Sequence, residues 1–290
     1  MSKDVALVLS SGGARGLAHI GAILELKAQG YRITSIAGCS MGALIAGVYA
    51  TGKLDVFREW MKSIDKKKML ELSDFSLSLN HLVKGNRIIE AIMELVPDVP
   101  IEELPIPYCA VATDWNTGRE VVFRKGSLFA AIRASISLPS FFEPVRRDGM
   151  ILIDGGVTNP MPMNRVKRHK GDILVGIDVS GRDYEAQASA QDELLEKRKR
   201  SRSLSRQIID RLIPDNLDFN HYTVLSRVST MMIRQNSLLM AQLMKPDVLV
   251  DIQISRYGGF DYDKSEKLIN IGRQKTEATL QKIQELVKKL

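Results

Sequence analysis

Three short stretches bring together side chains and backbone that could carry out chemistry. The first is Gly38-Cys39-Ser40-Met41-Gly42, a GxSxG pattern between an apolar β-branched run and an apolar helical run. A serine held on a sharp strand-to-helix turn is exposed for nucleophilic attack. Glycines two residues to either side leave room for the turn, and the following helix start sets backbone amides beside the hydroxyl. The second is Gly12-Gly13-Ala14-Arg15-Gly16, also between a strand-like run and a helix. Glycines at a helix start can aim N–H groups at an anion, so this loop suits either a phosphate cradle or an oxyanion hole for a tetrahedral acyl intermediate. The third is Asp154-Gly155-Gly156, an acid at the end of a short apolar run with two glycines after it.

A serine hydroxyl needs a base to remove its proton. The four histidines are His19, His81, His169 and His221. None follows an acid and a strand end in the chain order Ser–Asp–His that a hydrolase triad of this kind uses. His19 reads as a packed or backbone-bonded residue, His81 and His169 as surface residues. Asp154 is the acid that could serve instead: burial would raise its pKa from about 3.9, and direct contact would make it an effective base. On its own, the DGG turn reads first as a tight bend with a solvated aspartate. The glycine loop has Ser11 where a GxGxxG fingerprint needs glycine, and it lacks the Gly-Lys-Ser/Thr of a P-loop. The stretch Gln29 to Ala37 holds no acid for a ribose. Nucleotide binding is therefore the weaker reading.

The elements that must position these residues follow from hydrophobic period and turn chemistry. Runs at 4–10, 33–38, 108–113, 120–123, 151–153, 172–179 and 248–252 read as strands, with 108–113 and 120–123 a hairpin around Asn116-Thr117-Gly118. Helical spacing covers 17–29, 43–50, 54–72, 86–96, 128–136, 186–212, 222–243 and 264–290. The opening strand–loop–helix–strand–loop–helix order implies parallel strands joined by crossover helices. No linker rich in Gly, Ser or Pro divides the chain. The expectation is one domain over 1–290 with a helical insertion at about 182–245.

SGGARGLAHIG, GCSMG and DGGVTNPMP, in that order, resemble the oxyanion loop, nucleophile elbow and catalytic-aspartate motif of the patatin-like phospholipase family. RASISLPSFFEPV at 133–145 and PDVLVDIQI at 246–254 are similar to further segments of that family, and its small bacterial members match best. The resemblance covers roughly 4–180, with Ser11 where many members carry a third glycine. It implies a three-layer α/β/α patatin-like fold with a mainly parallel central sheet. It also implies a Ser–Asp dyad, with Ser40 as nucleophile and Asp154 as general base, and oxyanion donors at Gly12, Gly13, Ala14 and Arg15. Gly38, Met41, Gly42, Gly155 and Gly156 would support them. The implied activity is a lipid acyl hydrolase of the phospholipase A or lysophospholipase type, working through an acyl-enzyme with no metal or cofactor. An esterase or thioesterase on small soluble acyl esters, and a regulatory protein that keeps the fold without catalysis, are the alternatives.

Composition sets outer bounds. Of 290 residues, 44% are hydrophobic and 26% charged, ordinary for a chain with a sizeable core. Cys39 and Cys109, the two cysteines, fit neither a disulfide framework nor a metal spacing, which suits a reducing, cytoplasmic location. The initial apolar run is too short for a signal-peptide core. Ile33 to Gly52 is uncharged and long enough to span a bilayer, but its glycines and serines fit a buried strand, turn and helix better. The net charge of +7 favours anionic partners or solubility. No nucleic-acid motif accompanies it. The basic run Lys197–Arg206 (KRKRSRSLSR) is the candidate for peripheral contact with anionic headgroups, against a solvated helix or loop. The Met-rich stretch 224–243 reads as core packing, with an acyl groove, a lid or a homo-oligomer surface as alternatives.

Overall fold

The computed structural model describes residues 3–72, 86–139, 141–181, 221–254, 256–259 and 261–289. The helix expected over 186–212, the basic run Lys197–Arg206 and His81 lie outside the described residues. Eight strands form one sheet. The neighbour order is β5 (Val145–Arg147), β6 (Met150–Asp154), β3 (Tyr108–Asp114), β2 (Arg32–Cys39), β1 (Asp4–Leu9), β7 (Ile173–Gly181), β8 (Val248–Gln253), with β4 (Glu120–Phe123) also on β3. The pairs β1–β2, β1–β7, β2–β3 and β7–β8 are parallel; β3–β4, β3–β6 and β5–β6 are antiparallel. The sheet is thus mainly parallel, with its antiparallel part confined to the β3 side.

Alternate residues of the central strands feed two cores. Val5, Leu7 and Leu9 of β1 point to one face, where α1 (Ala18–Ala28), α2 (Met41–Ala50), α3 (Leu54–Ser63) and α6 (Leu128–Ser135) bury their apolar residues. Ala6 and Val8 point to the other, against Met161, Met163 and Val166 and against α7 (His221–Met244). Helix, sheet and helix make the three layers. The long α8 (Ser265–Lys289) closes the first layer on α1 at very short range. A Cβ at Gly21 would collide with the Ile269 carbonyl, and one at Gly272 with that of Ala18.

Two local expectations are corrected. The helix expected over 54–72 is two: α3 ends at Ser63, Ile64 is extended, and α4 (Lys66–Leu72) starts afresh with Asp65 Oδ1 accepting the Lys68 N–H at 2.7 Å. Asp65 is a helix-capping residue set in a continuous amphipathic pattern. Strand β5 is additional. Its partner β6 follows through Asp148 and Gly149, both at positive φ (51° and 76°), a two-residue hairpin turn.

Candidate active site

The registers on β3 determine where Ser40 and Asp154 fall. β2 pairs with its first half, up to Cys39 opposite Val111. β6 runs in from the other direction and pairs with its second half, down to Asp154 opposite Ala112. β4 pairs with Ala110 to Thr113, overlapping both, so it occupies the opposite edge of β3. β2 and β6 therefore lie end to end along one edge, and their last residues stand opposite adjacent positions of β3. Ser40 leaves β2 at that junction. Its hydroxyl donates to Asp154 Oδ2 at 2.6 Å.

Both residues are held tightly. Ser40 has φ 53° and ψ −125°, a left-handed position that costs a non-glycine residue about 1–3 kcal/mol. Its N–H donates to Ser135 Oγ at 2.9 Å, and its carbonyl accepts from the Ala43 and Leu44 amides of α2. A Cβ at Gly38 would strike the Gly42 carbonyl, and one at Gly42 would strike the Leu9 carbonyl. Asp154 gives its own N–H to Ser137 O at 2.9 Å and takes Thr113 Oγ1 on its carbonyl at 3.1 Å. Oδ1 accepts the Gly156 N–H at 2.7 Å, with the Cys39 thiol 3.9 Å away. Gly155 lies so close to the Val111 carbonyl that a Cβ would collide with it. The two glycines thus let the chain fold back onto the carboxylate, leaving Oδ2 for Ser40.

Asp154 is 2% exposed. Burial lifts its pKa to about 6, against the downward pull of the Ser40 hydroxyl, the Gly156 amide and the Cys39 thiol. That is a carboxylate which is ionised at neutral pH yet basic enough to take a proton. His19 is wholly buried. Its Nε2–H donates to the Ser10 carbonyl at 2.9 Å, and burial holds its pKa near 4, so it is neutral and engaged elsewhere. Among the described residues no histidine hydrogen-bonds Ser40.

The glycine loop packs against this centre. Gly12 is extended (φ −178°) and Gly13 left-handed (φ 57°). Both line the cavity above Ser40, and among the described residues neither amide meets a protein acceptor. Arg15 lines the cavity as well, with Nε–H donating to Gly12 O at 3.3 Å. Ala14 departs from the expectation. The turn at Gly13 rotates its N–H away from the serine and onto the Gly259 carbonyl at 2.7 Å, so it is not a donor to the cavity. Gly16 abuts the Met41 side chain, interlocking loop and elbow.

The cavity has a volume of about 490 Å³. Its polar end is Ser11, Gly12, Gly13, Arg15, Ser40 and Asp154. The rest is mostly apolar, with Phe57, Trp60 and Met61 from α3, Ile88 and Ile92 from α5 (Asn86–Met93), Ile136 and Phe142 after α6, and Ile233 from α7. Ser135, Thr113, Gly259 and Tyr262 are site residues that the sequence motifs did not single out. Ser135 and Ser137 sit inside the quoted RASISLP segment, which was the available signal. Gly259 and Tyr262 are joined to the site only by tertiary contact.

Residues 7–166, more than half of the chain, match the family model described as patatin-like phospholipase. The chain belongs to the patatin-like phospholipase family. An uncharacterised NTE-family protein of Mycobacterium bovis is 44% identical over 196 residues, 66% of this chain and 54% of that protein. Neuropathy target esterase sws of Drosophila melanogaster is 31% identical over 62% of this chain and 13% of its own length. Patatin-like phospholipase domain-containing protein 6 of Mus musculus is 32% identical over 62% of this chain and 14% of its own. The chain therefore spans about half the length of this mycobacterial relative and far less of the animal ones. Among solved structures, Legionella pneumophila VipD aligns over 96% of this chain and 66% of its own, at TM-score 0.47 and 14% identity.

Proposed function

We propose that this patatin-like protein hydrolyses acyl esters of lipids through a Ser40–Asp154 dyad and an acyl-enzyme. The observation that carries the reading is the 2.6 Å hydrogen bond from Ser40 Oγ to a buried carboxylate at the polar end of an apolar cavity. Asp154 Oδ2 takes the hydroxyl proton as Ser40 Oγ attacks the ester carbonyl carbon. The Gly12 and Gly13 amides receive the negative oxygen, a donor pair of the kind worth about 3–4 kcal/mol of barrier per bond. The carbonyl re-forms, the alcohol or lysolipid oxygen leaves with the proton from Asp154, and the acyl group remains on Ser40. Water then gives a proton to Asp154 and attacks the acyl carbon. Ser40 departs, recovers that proton, and the fatty acid is released. The apolar walls suit an alkyl chain, whose burial contributes about 0.8 kcal/mol per methylene.

We read residues 1–290 as one patatin-like domain, with about 182–245 inserted between β7 and β8. A fluorophosphonate probe and a series of p-nitrophenyl esters test the chemistry. Ser40→Ala should abolish labelling, and Ser40→Ala and Asp154→Asn should each lower turnover by more than about a thousand-fold. Labelling that survives in Ser40→Ala, or near-full turnover in Asp154→Asn, would overturn the dyad. Longer acyl chains should raise kcat/KM. Equal values for acetate and long-chain esters would point instead to small soluble substrates.

A further inference from the structure

The helix α7 has two unlike faces. One packs inward: Met240, Ala241 and Met244 lie on the second core, Ser237 is wholly buried, and Ser229, Thr230 and Ile233 line the cavity. Arg234 fixes the helix to the sheet, donating to Asp178 of β7 at 2.8 Å and to Asp251 of β8 at 2.9 Å. The opposite face carries Val224, Val228, Met231, Met232, Leu239 and Leu243, all exposed, from 42% at Val224 to 74% at Leu243. At about 100° per residue these six fall within roughly 120° of arc along about 28 Å, sharing that arc with exposed Gln235 and Gln242. The expectation that this Met-rich stretch is core holds only for the inner face.

The charge on the helix has one sign. His221–Met244 contains no Asp or Glu, Arg227 is exposed beside the stripe, and exposed Lys245 follows its end. The chain as a whole carries +7, most of it in the six basic residues of Lys197–Arg206. An exposed, mainly apolar helix face with Arg227 and Lys245 at its border, and Asp247 only beyond the helix end, is an arrangement that suits the interface of an anionic membrane. Among the described residues no helix is long and apolar enough to cross one.

We infer that α7 docks the protein onto an anionic lipid bilayer, its outer face in the interface and its inner face walling the acyl cavity. Substrate lipid would then reach Ser40 along a helix already seated in the layer that holds it. This purpose rests on the lipid reading of the site, but the docking itself does not require hydrolysis. The basic run Lys197–Arg206 lies outside the described residues; beside the described stripe the cations are Arg227 and Lys245.

The test is vesicle flotation of the full chain carrying Ser40→Ala, so that no lipid is consumed. Vesicles are phosphatidylcholine alone, or equal parts phosphatidylcholine and phosphatidylglycerol. The protein should float with the anionic vesicles and be released by salt. Val228→Ser, Met232→Ser and Leu239→Ser combined should weaken partitioning at least about a hundred-fold, and Arg227→Ala about five-fold. With Ser40 intact, the triple variant should keep its turnover of a short soluble ester, which establishes that it is folded. Undiminished flotation of the triple variant would overturn the proposal. So would a wild-type dimer that the triple variant splits into monomers, with no flotation by either: the stripe would then be a self-association face. Flotation that follows the stripe in a protein with no esterase activity would sustain docking while removing the catalytic reading.

Discussion

Replacing Asp154 with asparagine should inactivate the protein and stabilise it, with a stability gain that depends on pH. The carboxyl titrates near 4 in the unfolded chain and at about 6 in the folded one, because burial penalises its charged form. A carboxyl whose folded pKa is the higher of the two binds its proton more tightly in the native state. Its contribution to stability is fully present below about 4 and is lost as pH rises through about 6. Roughly two pH units at about 1.4 kcal/mol each give a loss of about 3 kcal/mol by pH 7.5. Asparagine has nearly the same shape, can still accept the Gly156 amide, and carries no charge to bury. Urea unfolding of wild type and Asp154→Asn across this range should therefore give curves that separate as pH rises. The variant gains about 3 kcal/mol relative to wild type between pH 4 and pH 7.5, while ester turnover is lost. A stability difference that does not change with pH would refute the reasoning, since the carboxylate would then not be ionising at a cost.

The same ionisation should govern catalysis: a protonated Asp154 cannot accept the Ser40 proton, so kcat/KM should rise about ten-fold per pH unit below about 6 and level off above it. A flat profile from pH 5 to pH 8 would count against Asp154 as base. Arg234→Met should destabilise the fold by about 3 kcal/mol in urea at neutral pH, because it leaves the buried Asp178 carboxylate without its cation beside Asp251. Adding Asp178→Asn should restore most of that loss, and no restoration would mean that packing of the arginine stem is what matters. Ile88→Trp should narrow the apolar cavity and lower kcat/KM for long-chain esters at least about ten-fold while sparing the acetate, measured across the p-nitrophenyl series.

What the sequence could reveal divides along the range of the forces involved. Gly38 is needed locally, since a Cβ there would strike the Gly42 carbonyl of the same elbow, and a GxSxG motif can record that; Gly42, Gly155 and Gly156 are crowded by Leu9, by Val111 and by the Asp154 and Ser11 side chains, so the motif marks these glycines without revealing what they meet. The strand-loop-helix rhythm of the first fifty residues is equally local, and β1, α1, β2 and α2 formed as expected. Ala14 could not be judged from its neighbours, because the acceptor that turns its amide away is Gly259, brought in by tertiary folding. Nor could α7, whose methionines read the same whether they face Met163 or open surface. Strand β5 was missed because Val145-Arg146-Arg147 is three residues with two charges, and only pairing with β6 makes it a strand.

The absence of a candidate histidine has a structural basis that follows from the strand ends. In a triad the imidazole spans the gap between serine and acid. Here β2 and β6 approach the same edge of β3 from opposite directions and stop at adjacent positions, Cys39 opposite Val111 and Asp154 opposite Ala112. Their next atoms are already in contact, and a 2.6 Å bond between hydroxyl and carboxylate leaves no room for a ring. The carboxylate must then supply the basicity that an imidazole would have had. An aspartate in water is about two to three pH units too weak for that task. Burial at the strand junction makes up most of the difference, so the topology that removes the histidine also raises the pKa of the group replacing it. Opening that junction to water, for example by Gly155→Ala pressing on the Val111 carbonyl, should lower the pKa of the base and weaken the hydrogen bond together, which a downward shift in the acid limb of the rate profile would register.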